Sequence, residues 1–76
     1  MVYVPVVSGA ELVRALSSVG YVVVRQKGSH LRLRCESDPH RKPTTVPLHR
    51  EIKRGTLLSV LHDAGLTVDE FKDLLE

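Results

Sequence analysis

Apolar and polar positions follow two rhythms along this chain. After Ser8, the residues Leu12, Val13, Leu16 and Val19 recur at helical spacing on one side, with Glu11, Arg14 and Ser18 opposite. Ser8-Gly9-Ala10-Glu11 has the form of a capping box, and Gly20 stands where a left-handed residue ends a helix. The rhythm then shortens. Tyr21 to Gln26 is rich in strand formers, Lys27-Gly28 predicts a turn, and His30 to Cys35 alternates strictly. Leu31, Leu33 and Cys35 point one way, and His30, Arg32 and Arg34 the other. This is a strand with one buried face and one wet, basic face. Glu36 to Pro43 reads as a polar loop, Thr44 to Leu48 as a third strand edged at Pro47, and His49 to Arg54 as a connector.

Helical spacing returns from Gly55-Thr56, with Leu57, Leu58, Val60, Leu61 and Ala64 apolar and Gly65 as the stop. Thr67-Val68-Asp69-Glu70 is a second capping box, opening a short helix with Phe71, Leu74 and Leu75 inward. Met1 to Val7 forms an apolar extended lead-in. The predicted class is α+β: a small three-stranded antiparallel sheet with helices on one face, in the order α-β-β-β-α plus a short C-terminal helix. The other sheet face is left free to bind.

The 76 residues fit one domain, 1–76, and exclude a multidomain enzyme. No apolar run approaches the ~20 residues that span a bilayer, so no membrane role is expected. The first residues carry no basic segment and no cleavage-site pattern, so no secretory signal is expected either. A single cysteine, Cys35, excludes an internal disulfide and a thiolate zinc cluster, and a cytoplasmic location is the expectation. The net charge of +2 hides a strong division. From Arg25 to Arg54 nine Lys/Arg face three acids, a balance of +6; the rest of the chain sums to −4. A basic segment of this kind suits a polyanion, most naturally nucleic acid, although a solvated charged surface has the same composition.

Three of the four histidines lie in that basic segment. His62, on the second helix, and His40, in the polar loop, read as surface residues. Neither has the spacing of a metal site, and no metal or other cofactor is expected. His30 follows Lys27-Gly28-Ser29 at the entry to a strand and shares its face with Arg32 and Arg34. Gly28 can adopt backbone angles closed to other residues and leaves the turn open to a ligand. Imidazole, with an ordinary pKa of ~6.5, both accepts and donates protons near neutrality. Neighbouring cations can hold a phosphodiester and stabilise charge building on its oxygens. RNA brings its own nucleophile, the 2′-hydroxyl, so proton transfer and charge stabilisation suffice for cleavage. The plain alternative is a surface histidine between arginines.

Val24-Arg25-Gln26-Lys27-Gly28-Ser29-His30 closely resembles the R-Q-x-G-S-H core of the HicA family of bacterial and archaeal toxins. Val46-Pro47-Leu48-His49-Arg50-Glu51-Ile52 is similar to the family's V-P-x-H-x-E-[IL] segment, and Gly55 to Leu66 resembles its G-T-L-x-x-[IL]-L-x-x-A-G-L helix. The resemblance covers nearly the whole chain in order. It implies a fold like the double-stranded-RNA-binding domain and a metal-independent endoribonuclease that cleaves mRNA. It also implies a partner antitoxin, HicB, that holds the toxin inactive. His30 maps onto the family's catalytic histidine, and Gly28 and Ser29 onto the rest of its motif. Many members carry a second histidine or an aromatic after that position, where this chain has Leu31. This weakens any mechanism built on adjacent histidines.

His49 is then the next candidate for a second proton-transfer group, because the third strand can place it beside the second; its alternative is a connector histidine that bonds backbone or positions the loop. Lys27, Arg32, Arg34, Lys53 and Arg54 are candidate RNA contacts, arginine as a fork and lysine as a point charge. Two other functions use the same features. A non-catalytic RNA-binding module would need only the fold and its basic face. A protein-interaction domain would need only an acidic partner. The scarcity of aromatics (Tyr3, Tyr21, Phe71) argues against a stacking platform for single strands.

Overall fold

The computed structural model describes residues 3–76. Its elements are α1 (Gly9–Ser17), β1 (Tyr21–Lys27), β2 (His30–Cys35), β3 (Thr44–Pro47), α2 (Arg54–Ala64) and α3 (Val68–Leu74). Met1 and Val2, the start of the apolar lead-in, lie outside the described residues. The strands form one antiparallel sheet in the order β1-β2-β3. The α+β class and element order therefore follow the sequence pattern, and the arrangement is like that of the double-stranded-RNA-binding domain. Among the described residues, no helix is long and apolar enough to cross a membrane.

Local chemistry sets the helix ends. Ser8 Oγ accepts from the Glu11 N–H at 3.1 Å, while Glu11 Oε1 accepts from the Ser8 N–H at 2.9 Å. Thr67 and Glu70 repeat the exchange at 3.1 and 2.8 Å. Each pair satisfies two amide donors at a helix end that the helix itself leaves unpaired. Gly65 ends α2 in the left-handed conformation. The helix α2 begins at Arg54, one residue before the expected start, and β3 ends at Pro47, one residue before the expected end.

One sheet face carries all the packing. Leu31, Leu33 and Cys35 of β2 and Val46 of β3 meet Leu12, Ala15 and Leu16 of α1, Leu57, Val60, Leu61 and Ala64 of α2, and Phe71 of α3. Phe71, Leu12, Leu16, Leu33, Leu57 and Val46 are the largest fully buried side chains. Thr44 is the one buried polar residue among those described, and its Oγ1 donates to Asp63 Oδ2 at 3.1 Å, which satisfies it. The polar loop is held rather than free. Lys42 N donates to Asp63 O at 2.8 Å, Arg41 Nη1 to Ala64 O at 2.6 Å, and the Tyr21 hydroxyl to Lys42 O at 2.6 Å. These bonds tie the start of β1 and the end of α2 to one loop.

The capping bonds hold the Glu11 and Glu70 carboxyls below the usual carboxylate range; the backbone N–H of the cap residue is the first cause and its hydroxyl the second. A lowered folded-state pKa adds stability above the unfolded value of ~4.3, and this is lost as pH falls through the folded value. The acid limb of the stability curve should therefore flatten in Glu11→Gln and Glu70→Gln. Denaturant titrations between pH 3 and 7 measure this, and a limb as steep as wild type in both variants contradicts it.

Candidate active site

The turn between β1 and β2 has two residues, Gly28 and Ser29, with Lys27 and His30 as its closing pair. Gly28 has φ +58°, the positive angle that a type II′ hairpin needs at its first central position. Gln26 Nε2 donates to Gly28 O at 3.1 Å and braces the turn. A Cβ at Gly28 would meet nothing within 4 Å, so the space over the turn is open. His30 is the first residue of β2 and is exposed on the face away from the helices.

His49 reaches the same place from another part of the chain. Beyond Pro47 the backbone still follows β2 for one step, with Leu48 N donating to Ser29 O at 2.6 Å. Gly9 N, in the first turn of α1, donates to His49 O at 2.9 Å, and Ile52 N donates to Val7 O at 2.8 Å. A Cβ on Gly9 would collide with the Pro47 carbonyl and stand 2.9 Å from Leu48 Cα. Only glycine lets α1 approach the segment this closely. The His30 and His49 rings consequently lie edge to face, with centroids 6.3 Å apart and planes at 72°. They line an open pocket of about 310 Å³ with Thr45, Pro47, Lys53 and Thr56.

The candidate cations divide into four groups. Lys53 lines the histidine pocket and is the N-cap of α2, whose first turn receives no side-chain cap. Lys27 is directly opposite His30, and Arg32 donates from Nη1 to Thr45 Oγ1 at 3.0 Å on the pocket's border. Arg34 stands at the other end of β2, with Nη2 3.6 Å from Glu36 Oε2. Arg54 is not brought to the histidines; it lines an apolar hollow of about 670 Å³ with Tyr3, Val6 and Ile52.

A family model described as the HicA toxin of bacterial toxin-antitoxin matches residues 9–66. The chain belongs to the HicA toxin family. No curated protein matches it. The matched span contains both pocket histidines and every cation named above, and it leaves out the lead-in and α3. Membership makes the chain the toxin of a toxin–antitoxin pair.

Within this HicA-family chain, Leu31 is turned into the core, 7% exposed, so the position after His30 has no access to the pocket. His40 and His62 are exposed and do not line it. Among the described residues, no three His, Cys, Asp or Glu side chains are placed to share a metal ion. One basic residue escaped the sequence reading. Arg25 is directly opposite Arg32, on the outer face. Strict alternation from the buried Tyr21 puts Arg25 inward, but a bulge between Val23 and Arg25 resets the phase. Three consecutive valines conceal that shift. The cost of an inward arginine was the available clue.

Gly9→Ala should push the segment carrying His49 away from β2. We expect a loss of about 1–3 kcal/mol, as for other overpacked sites, together with a weaker nuclear Overhauser contact between the His30 and His49 rings. Wild-type stability with an unchanged ring contact would show that the close approach does not set the pair's geometry.

Proposed function

We propose that this toxin is an endoribonuclease that cleaves mRNA in the cytoplasm without a metal, through His30, and that a HicB-type antitoxin neutralises it. The observation that carries this reading is the placement of two imidazoles on one open pocket that Lys53 lines, with Lys27 opposite His30 and Arg32 bonded to the pocket's Thr45. In-line attack puts the entering 2′-oxygen and the leaving 5′-oxygen on opposite sides of phosphorus. Two rings whose centroids are 6.3 Å apart can each reach a different one of these oxygens. In this mechanism His30 takes the proton of the 2′-hydroxyl, and the 2′-oxygen bonds to phosphorus. The P–O5′ bond breaks, and His49, protonated, gives its proton to the leaving oxygen. The products are a 2′,3′-cyclic phosphate and a 5′-hydroxyl. Lys53 and Lys27 stand close enough to the pair to offset the charge growing on the phosphoryl oxygens. Ser29 and Gly28 serve by shaping the turn that presents His30.

Purified wild type should cleave RNA equally well with and without EDTA. His30→Ala should lose about 10²–10⁴-fold in rate, while RNA binding largely survives because the cations remain. Equal cleavage by both proteins would remove His30 from the mechanism, and loss of wild-type cleavage in EDTA would remove the metal-free route. His49→Ala should also slow cleavage, because the leaving oxygen then lacks its proton donor across the pocket, and an unchanged rate would remove His49 from the mechanism. Salt-sensitive RNA binding with no cleavage by wild type would instead identify a non-catalytic RNA-binding module.

The same basic face suits an antitoxin that is acidic where it covers His30. Reversing Arg32 and Arg34 to Glu together should weaken the toxin–antitoxin complex, as read by titration calorimetry. Unchanged affinity would refute this electrostatic account of neutralisation.

A further inference from the structure

The outer face of the sheet carries more charge than the histidine pocket requires. Across the β1–β2 ladder, Val22 faces Arg34, Arg25 faces Arg32 and Lys27 faces His30. Directly opposed residues of antiparallel strands share a face, with Cβ atoms about 4.5–5.5 Å apart, and like charges so placed repel. The relief available is small. Arg32 bonds a neutral threonine, and Arg34 has only a loose, well-exposed ion pair with Glu36. Among the described residues, no carboxylate lies within ion-pair distance of Arg25, Lys27 or Arg32. The sheet therefore holds a cluster of cations that costs folding stability and whose one counter-charge among the described residues is Glu36, at the Arg34 end.

The bulge at Val24 creates this cluster. An unbroken β1 would turn Arg25 and Lys27 to the helical side with Leu33. With one extra residue, both join Arg32 and Arg34 outside. Along β2, Arg34, Arg32 and His30 follow one another on this face at steps of about 6–7 Å. Arg25 and Lys27 form a second row beside them, ending level with His30.

We propose that Arg25, Lys27, Arg32 and Arg34 form a two-row phosphate track for single-stranded RNA, with Arg25 as a phosphate contact placed there by the bulge. The inference rests on the ribonuclease reading above and names where the substrate backbone lies. A strand lying along β2 has cations on both sides and is led to the imidazole at the end of the row. No tyrosine or phenylalanine lies in the track, since Tyr3 lines the apolar hollow, Tyr21 is buried and Phe71 is in the core. The bases therefore have no stacking partner there, and the contacts are ionic and tolerant of sequence.

The test uses His30→Ala as the parent, so that RNA is bound and not cut. Binding of an unstructured oligoribonucleotide is measured against salt concentration. For a single strand, each phosphate that a cation no longer neutralises lowers the slope of log K against log salt by about 0.7. Adding Arg25→Gln should lower the slope by about that amount and weaken binding at low salt, equally for oligonucleotides of different sequence. Arg25→Lys should keep the parent slope, and Arg14→Gln, on the exposed side of α1, should leave it unchanged. Arg25→Gln should also raise the melting temperature, because it removes the repulsion with Arg32. A slope unaltered by both Arg25→Gln and Lys27→Gln overturns the track while leaving the ribonuclease reading intact. A parent that does not bind RNA overturns both. Weakened antitoxin binding with unaltered RNA binding makes the face a protein surface and overturns the track.

Discussion

Three long-range backbone hydrogen bonds hold the two halves of the site together. Leu48 N to Ser29 O joins the exit of β3 to the hairpin turn. Gly9 N to His49 O sets the first turn of α1 on the same segment, and Ile52 N to Val7 O fastens its far end to the lead-in. Each is a main-chain bond and so depends little on side-chain identity. Its geometry depends strongly on the absence of a Cβ at Gly9. The histidines themselves share no bond. Their spacing is inherited from backbone held at several points, which leaves both rings free for the proton transfers proposed for them.

A second constraint follows from size. A chain of 76 residues has one core to build, and all three helices are committed to one side of the sheet to build it. The opposite side is left without packing duties. It can accept a concentration of like charge that a sheet covered on both faces could not. The acids of α3 lie on the helical side, so the charge division along the sequence is also a division in space. An open surface is a workable place for phosphodiester cleavage when the substrate supplies the nucleophile, and no deep cavity has to be carved from a small core.

Most of the architecture was legible in the sequence because it rests on short-range rules. Capping boxes at Ser8 and Thr67, the alternation from His30 to Cys35 and the stop at Gly65 each depend on a few neighbouring residues. Two features of the site were not legible in this way. The proximity of His30 and His49 was legible only as a pairing of the third strand with the second; the bonds that set it join segments far apart in the chain. The bulge at Val24 shifts the phase inside a run of three similar residues, so the pattern carries no mark of it. The surroundings of Arg54 are not marked in the sequence for a related reason. It begins the helix and lines the hollow beside the lead-in, whereas the adjacent Lys53 borders both that hollow and the histidine pocket.

The free edge of β1 has a consequence of its own. Val22, Val23 and Val24 are all exposed on a strand with no neighbour on one side, and the last two are each 48% accessible. Exposed valines on an open edge invite another chain to add a strand. The bulge twists this edge, and Arg25 and Lys27 extend the charge along it, both of which discourage such addition. The charges on the outer face thus act at the edge as well, whatever else binds there: they oppose the addition of a strand from another chain. Neutralising them removes that opposition and leaves three exposed valines on an open edge.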